Sequence, residues 1–215
     1  VNCFGLYLVL TDPIAGYEHC TEAAVAEGVR FVQLRMKDAP RAEVVRVGLR
    51  LRAIVRGSGT LLVVNDDPVA AAEIGADGVH LGQGDLPVAE ARRLVPPRTI
   101  VGLSTHDEDQ AARAERLAPD YIGVGPIHAT PTKRVPDPVL GLERAARIAR
   151  GAKVPAVGTG GIDAARLPAV LAAGIENFAV VRHVCGSPRP REAIAELMGI
   201  WRGRAALSSM GRLIR

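Results

Sequence analysis

Aromatic side chains are scarce, at 3% of the 215 residues. A nucleic-acid platform stacks bases on aromatics set among basic residues, so their scarcity argues against one. Cysteine is also rare. Cys3, Cys20 and Cys185 lie far apart and are odd in number, so they encode neither a disulfide framework nor a C-x-x-C knuckle. They read as reduced thiols of a protein expected to be cytoplasmic. There is no H-E-x-x-H, and His19, His128 and His183 show no metal-ligand spacing, which argues against zinc. The longest uninterrupted apolar run is five residues, too short for a membrane-spanning helix, and no charged-apolar-small leader opens the chain. The net charge of +4 is local: residues 202–215 carry four arginines and no acid, and without them the chain is neutral. Basicity confined to a short tail is not a binding face. Neither nucleic acid nor membrane is therefore an expected partner, and the sequence leaves the oligomeric state open.

Hydrophobic residues make up 48% of the chain and charged residues 23%, an ordinary globular mixture. Short Leu- and Val-rich runs alternate with longer Ala- and Arg-rich amphipathic stretches. The runs are Leu6–Leu10, Phe31–Arg35, Leu61–Asn65, Gly78–Leu81, Thr99–Ser104, Tyr121–Gly125, Ala156–Thr159 and Asn177–Val181. Several of the amphipathic stretches open with Pro or Asp, as helices do. Glu27-Gly28, Ile74-Gly75 and Ala173-Gly174 look like helix ends at which Gly turns left-handed. Eight strand–helix units in this length predict a single α/β domain, a (β/α)8 TIM barrel over residues 1–201. Residues 202–215 would be a basic, poorly ordered tail. The rival, a doubly wound open sheet, normally carries G-x-G-x-x-G after its first strand, where Leu10-Thr11-Asp12-Pro13 stands instead.

Active residues of such a barrel sit at the C-terminal ends of its strands, and the polar residues of this chain fall there. Gln33, Arg35 and Lys37 alternate at the end of the second run and point to one side, as a polyanion site would need. The third run closes with Asn65-Asp66-Asp67 and the fourth leads to Asp85. Asp66 or Asp67 could cap the helix that opens at Pro68, and Asp85 the one at Pro87, but acids on neighbouring strands could together hold one Mg²⁺, which takes one or two carboxylates plus phosphate oxygens. Ser104 and His106 lie close, yet no G-x-S-x-G elbow accompanies them, so Ser104 reads as a ligand donor. Thr130-Pro131-Thr132-Lys133 forms an anion cradle, and Gly160-Gly161 a phosphate-binding turn. The residues alone thus describe a phosphate-handling, Mg²⁺-dependent barrel enzyme with two anion sites.

Leu6-Tyr7-Leu8-Val9, Gln33-Leu34-Arg35-Met36-Lys37, Val64-Asn65-Asp66, His80-Leu81-Gly82-Gln83-Gly84-Asp85, Gly102-Leu103-Ser104-Thr105-His106, Gly123-Val124-Gly125-Pro126, Thr130-Pro131-Thr132-Lys133 and Gly160-Gly161-Ile162 together resemble the thiamine phosphate synthase family, over about residues 5–200. The resemblance implies a transferase that joins hydroxymethylpyrimidine diphosphate to hydroxyethylthiazole phosphate and releases pyrophosphate. It implies that Gln33, Arg35, Lys37, Asn65, Ser104 and Lys133 bind the pyrimidine diphosphate, with Arg35, Ser104 and Lys133 as catalytic residues. Asp66 and Asp85 would hold Mg²⁺, and Thr130, Thr132, Gly161, Val181 and Arg182 would bind the thiazole phosphate. The chain departs from the family pattern at Arg182, where many members have Ser, and at Glu176-Asn177, where an Asp-Gly pair is common. The alternatives are a thiazole tautomerase-type paralogue and a non-catalytic barrel that binds thiamine phosphates.

Overall fold

The computed structural model describes residues 3–130 and 137–213, with side chains as far as Arg204. Eight parallel strands close into a barrel in sequence order. They are β1 (Leu6–Leu10), β2 (Phe31–Leu34), β3 (Leu61–Asn65), β4 (Gly78–Leu81), β5 (Ile100–Thr105), β6 (Tyr121–Val124), β7 (Ala156–Gly158) and β8 (Asn177–Val180). β1 pairs with both β2 and β8, which closes the ring. The helices are α1 (Tyr17–Ala26), α2 (Arg41–Val55), α3 (Pro68–Ile74), α4 (Val88–Leu94), α5 (Glu108–Leu117), α6 (Leu142–Gly151), α7 (Leu167–Ala172), α8 (Arg182–Cys185) and α9 (Pro190–Leu213).

Strands covered on both faces read as nearly continuous apolar runs, and here alternate residues serve different cores. Leu6, Leu8 and Leu10 of β1 join Val32, Leu62, Val79 and Leu103 in the layer under the helices. Tyr7 and Val9 turn inward with Phe4, Phe31, Val63, Tyr121 and Val157 to fill the barrel. Full burial of a Leu or Phe stabilises by about 1.5–3 kcal/mol, so both layers hold the strands in register. Four of the six Phe and Tyr residues lie in the lumen, where β2 and β6 bring Phe31 and Tyr121 rings against Tyr7.

The helix punctuation follows local chemistry. Asp67, not Asp66, caps α3, accepting from the Val69 and Ala70 N–H groups at 3.0 Å with Pro68 in the first turn. Asp107 caps α5 through the Gln110 N–H. Asp85 does not cap α4, which follows Pro87; its carboxylate accepts from the Gly82 N–H at 2.6 Å. Gly28, Gly75 and Gly174 have the left-handed φ expected of helix ends. Residues 164–172 read in the sequence as one amphipathic stretch, but α7 begins only after Arg166, and α8 is a single turn that the alternation of runs and stretches does not show. α9 runs past Trp201 to Leu213. The first residues of the basic segment touch the barrel: Arg202 donates to the Glu27 carbonyl at 3.0 Å, and Arg204 pairs with Glu176 at 2.8 Å. Cys3, Cys20 and Cys185 are free thiols. Among the described residues no helix is long and apolar enough to cross a membrane.

Candidate active site

A cavity of about 1070 Å³ opens at the C-terminal ends of the strands, the end at which loops carry function in this architecture. Its lining includes Gln33 from β2, Arg35 just beyond it, Asn65 from β3, Ser104 from β5, Thr130, and Gly161, Val181 and Arg182 after β7 and β8. Eight of the residues singled out in the sequence therefore share one chamber. Lys37, Asp66 and Asp85 form a cluster beyond this lining, with Lys37 Nζ donating to Asp66 Oδ2. Thr132 and Lys133 lie outside the described residues.

Asp66 has φ 64°, a left-handed conformation that non-glycine residues seldom adopt. The turn aims its carboxylate away from the helix that Asp67 caps and toward Asp85. Burial raises the Asp85 pKa, and contact with the Asp66 carboxyl raises it further against the opposing Gly82 N–H bond. Two acids in contact repel when both are ionised, and a divalent cation relieves that repulsion. Among the described residues no group of three or more His, Cys, Asp or Glu side chains is placed to hold a metal. A cation here would take two carboxylates and complete its shell from water or a ligand's oxygens, a donor set that suits Mg²⁺.

The opposite wall is built from backbone and guanidinium groups. Gly160 and Gly161 have φ 92° and 65°, and a Cβ on Gly161 would lie 2.8 Å from the His128 Cβ and 2.9 Å from the Ala129 carbonyl oxygen. Only glycine fits a loop that passes so close to its neighbour. Arg166, which sequence reasoning missed, lines this wall, donates to the Gly161 carbonyl at 2.8 Å and faces Asp163 at 3.6 Å. An Arg five residues after a Gly-Gly pair was the available signal. Arg182 opens α8 and lines the same wall. Glu192 of α9 pairs with Arg189 at 3.0 Å.

The cavity floor holds a polar chain that the sequence did not announce. Gln33 Nε2 donates to the Tyr7 hydroxyl at 2.9 Å, and the Tyr7 and Tyr121 hydroxyls are 2.7 Å apart. His80 joins through Nδ1 to the Tyr121 hydroxyl and through Nε2 to Ser104 Oγ, both at 2.9 Å. Burial pushes both tyrosine pKa values well up, so both stay protonated. Beside the chain, His106 Nδ1 donates to the Gly125 carbonyl at 2.7 Å, and its Nε2 faces Asp137 at 3.7 Å. His106 and Ser104 thus have different partners, and no nucleophile–base pair forms between them.

The family model described as thiamine monophosphate synthase matches residues 6–184. A thiamine-phosphate synthase of Laribacter hongkongensis is 41% identical over 202 residues, covering 92% of this chain and 95% of that one. One from Gloeobacter violaceus is 45% identical over 190 residues, or 88% of this chain; the match spans about half, 55%, of that longer relative. Among solved structures, a thiamine phosphate pyrophosphorylase from Pyrococcus furiosus superposes with TM-score 0.85 at 31% identity, covering 94% of this chain and 97% of that one.

Proposed function

The chain belongs to the thiamine monophosphate synthase family, a family of transferases, and on that premise we propose that one cavity seats two phosphorylated substrates on opposite walls. The reaction joins hydroxymethylpyrimidine diphosphate to hydroxyethylthiazole phosphate and releases pyrophosphate. Gln33, Arg35, Lys37, Asn65, Ser104 and Lys133 take the pyrimidine diphosphate, and Asp66 and Asp85 hold Mg²⁺ beside it. When bound, the ion offsets charge on the diphosphate. Thr130, Thr132, Gly161, the backbone at Val181, and Arg182 take the thiazole phosphate, with Arg166 added to that wall. The observation that carries this reading is a single chamber whose lining has Arg35 and Asn65 among one set of strands and Gly161 and Arg182 at another.

The mechanism is dissociative. The C–O bond between the pyrimidine methylene and the diphosphate breaks, and the bonding pair leaves with pyrophosphate. The ring amino group stabilises the resulting cation, and the thiazole nitrogen supplies the pair for the new C–N bond. Arg35, Lys37 and Lys133 stabilise charge that grows on the leaving group, while the glycine wall aligns the nucleophile within reach. No step needs a general base. His80, the imidazole nearest Ser104, already has hydrogen-bond partners on both ring nitrogens. The paired carboxylates also favour pyrophosphate release over tautomerisation of a thiazole carboxylate phosphate. We place the enzyme in the cytoplasm, where its thiols stay reduced.

Incubation with the pyrimidine diphosphate alone in ¹⁸O-water tests the bond that breaks. Slow turnover should put the label in the hydroxymethylpyrimidine alcohol, and added thiazole phosphate should divert that flux to thiamine phosphate. Label in the phosphate would mean P–O cleavage and overturn the mechanism.

A further inference from the structure

The hydroxyl chain on the cavity floor has a direction, and its direction follows from burial. Tyr7 is 2% exposed and Tyr121 4% exposed, so each hydroxyl proton requires an acceptor within the protein. Gln33 Nε2 already donates to the Tyr7 oxygen, which sends the Tyr7 proton to Tyr121. The opposite sense would aim the Tyr7 proton at an amide nitrogen that is itself a donor. Tyr121 then donates to His80 Nδ1. With Nδ1 accepting, the neutral imidazole carries its proton on Nε2 and donates to Ser104 Oγ. The Gln33 carbonyl oxygen and the Ser104 proton are what remain for the cavity, which both residues line.

We propose that Tyr7, Tyr121 and His80 are positioning residues that fix Gln33 as an acceptor and Ser104 as a donor, so that the site selects a pyrimidine with an amino donor beside a ring-nitrogen acceptor. This rests on the pyrimidine reading above and deepens it. A 4-oxo pyrimidine of the same shape presents the reverse pattern, a carbonyl acceptor beside a ring N–H. Reversing one end of the chain would require reversing all of its bonds at once, which makes discrimination a property of the chain and not of two independent side chains. The barrel is shaped for it: a Cβ on Gly102 would come within 2.1 Å of Tyr121 Cζ, so glycine there leaves the lumen clear for the ring. His80 also stacks against Tyr121 with ring centroids 5.5 Å apart.

Two measurements test the inference. In the ¹⁵N spectrum of the unliganded protein, assigned against His80→Gln, His80 should show a protonated Nε2 and an unprotonated Nδ1. Finding the proton on Nδ1, or on both nitrogens, overturns the proposal whatever the substrate is. The second compares kcat/KM for the 4-amino and 4-oxo pyrimidine diphosphates. The wild type should prefer the amino form by at least about a thousandfold, as sites with buried polar partners do. Tyr121→Phe should lower that ratio by at least about tenfold, the worth of one buried hydrogen bond. Tyr7→Phe should do the same, and the double variant should be no worse than the poorer single one. A lowered Tm with the ratio unchanged would make the hydroxyls merely structural and contradict the proposal. If Tyr121→Phe does not fold, Tyr7→Phe decides the same question. Failure of the wild type to turn over the amino substrate would instead count against the assigned reaction, while the ¹⁵N spectrum still decides the direction of the chain.

Discussion

Neighbouring carboxylates with different tasks make the sharpest case at the scale of single residues. Asp67 belongs to the helix it caps, whereas Asp66 is held in a left-handed turn that places it beside Asp85. Backbone strain of that kind costs about 1–3 kcal/mol and gathers where function needs it. Asp66→Ala and Asp85→Ala should each lower turnover at least about a hundredfold, because the charge on the diphosphate is then less offset. Near-normal turnover of either at limiting Mg²⁺ would separate the pair. Asp66→Gly should be as inactive as Asp66→Ala yet melt higher, since glycine accepts the positive φ. Arg182→Ala should raise the KM for the thiazole phosphate and leave that for the pyrimidine diphosphate and the Tm unchanged. A lower Tm with both constants intact would assign Arg182 to structure. Sequence spacing brought out Gln33, Arg35 and Ser104, because each is a polar residue closing an apolar run, whereas Asn65 and Arg182 were singled out by the family resemblance. It could not separate Asp66 from Asp67, which differ by one peptide and one dihedral angle. Tyr7 and Tyr121 stayed hidden because inside an apolar run a tyrosine reads as core, and the core is where their rings lie.

Strands were the most legible elements. Burial on both faces makes each of them a short dense apolar run, and Leu6–Leu10, Leu61–Asn65 and Gly78–Leu81 fall where the runs do. α8 was not legible, since four residues carry less than one full amphipathic repeat. The start of α7 is not marked in the sequence, because Ala164 and Ala165 suit a helix or a turn equally. Two elements offer direct tests. Asp67→Ala removes the α3 cap and should cost about 1 kcal/mol in a denaturant titration, with turnover retained. The joint between α5 and α6 is electrostatic: the Arg144 guanidinium holds the Glu108 pKa down to about 2 from 4.5, helped by the Glu108 backbone N–H and by Arg147. A lowered folded-state pKa stabilises above the unfolded value and is lost as pH falls through the folded one. The Tm difference between wild type and Glu108→Gln should therefore be constant above about pH 5 and close between 4.5 and about 2. It should also be small, as this pair is at the surface.

For the whole molecule, the closed ring places every strand's C-terminal end at one mouth, so residues far apart in sequence meet without any motif to link them. That convergence is why the barrel could be read from periodicity, while the floor network, a set of contacts across the lumen, could not. The C-terminal segment belongs to this scale too. Ending the chain after Arg204 should leave folding and activity intact, whereas ending it after Trp201 removes the Arg202 and Arg204 ties to Glu27 and Glu176 and should lower the Tm slightly without changing kcat. Loss of activity in the longer variant would mean that residues 205–215 complete the fold or an interface. The central claim is that one chamber joins two phosphorylated rings. Its most direct test is to incubate the protein with hydroxymethylpyrimidine diphosphate, hydroxyethylthiazole phosphate and Mg²⁺ and follow products by mass. The account predicts thiamine phosphate and pyrophosphate in equal amounts, with no thiamine phosphate when either organic substrate is omitted. Both substrates recovered unchanged from the complete mixture would contradict it.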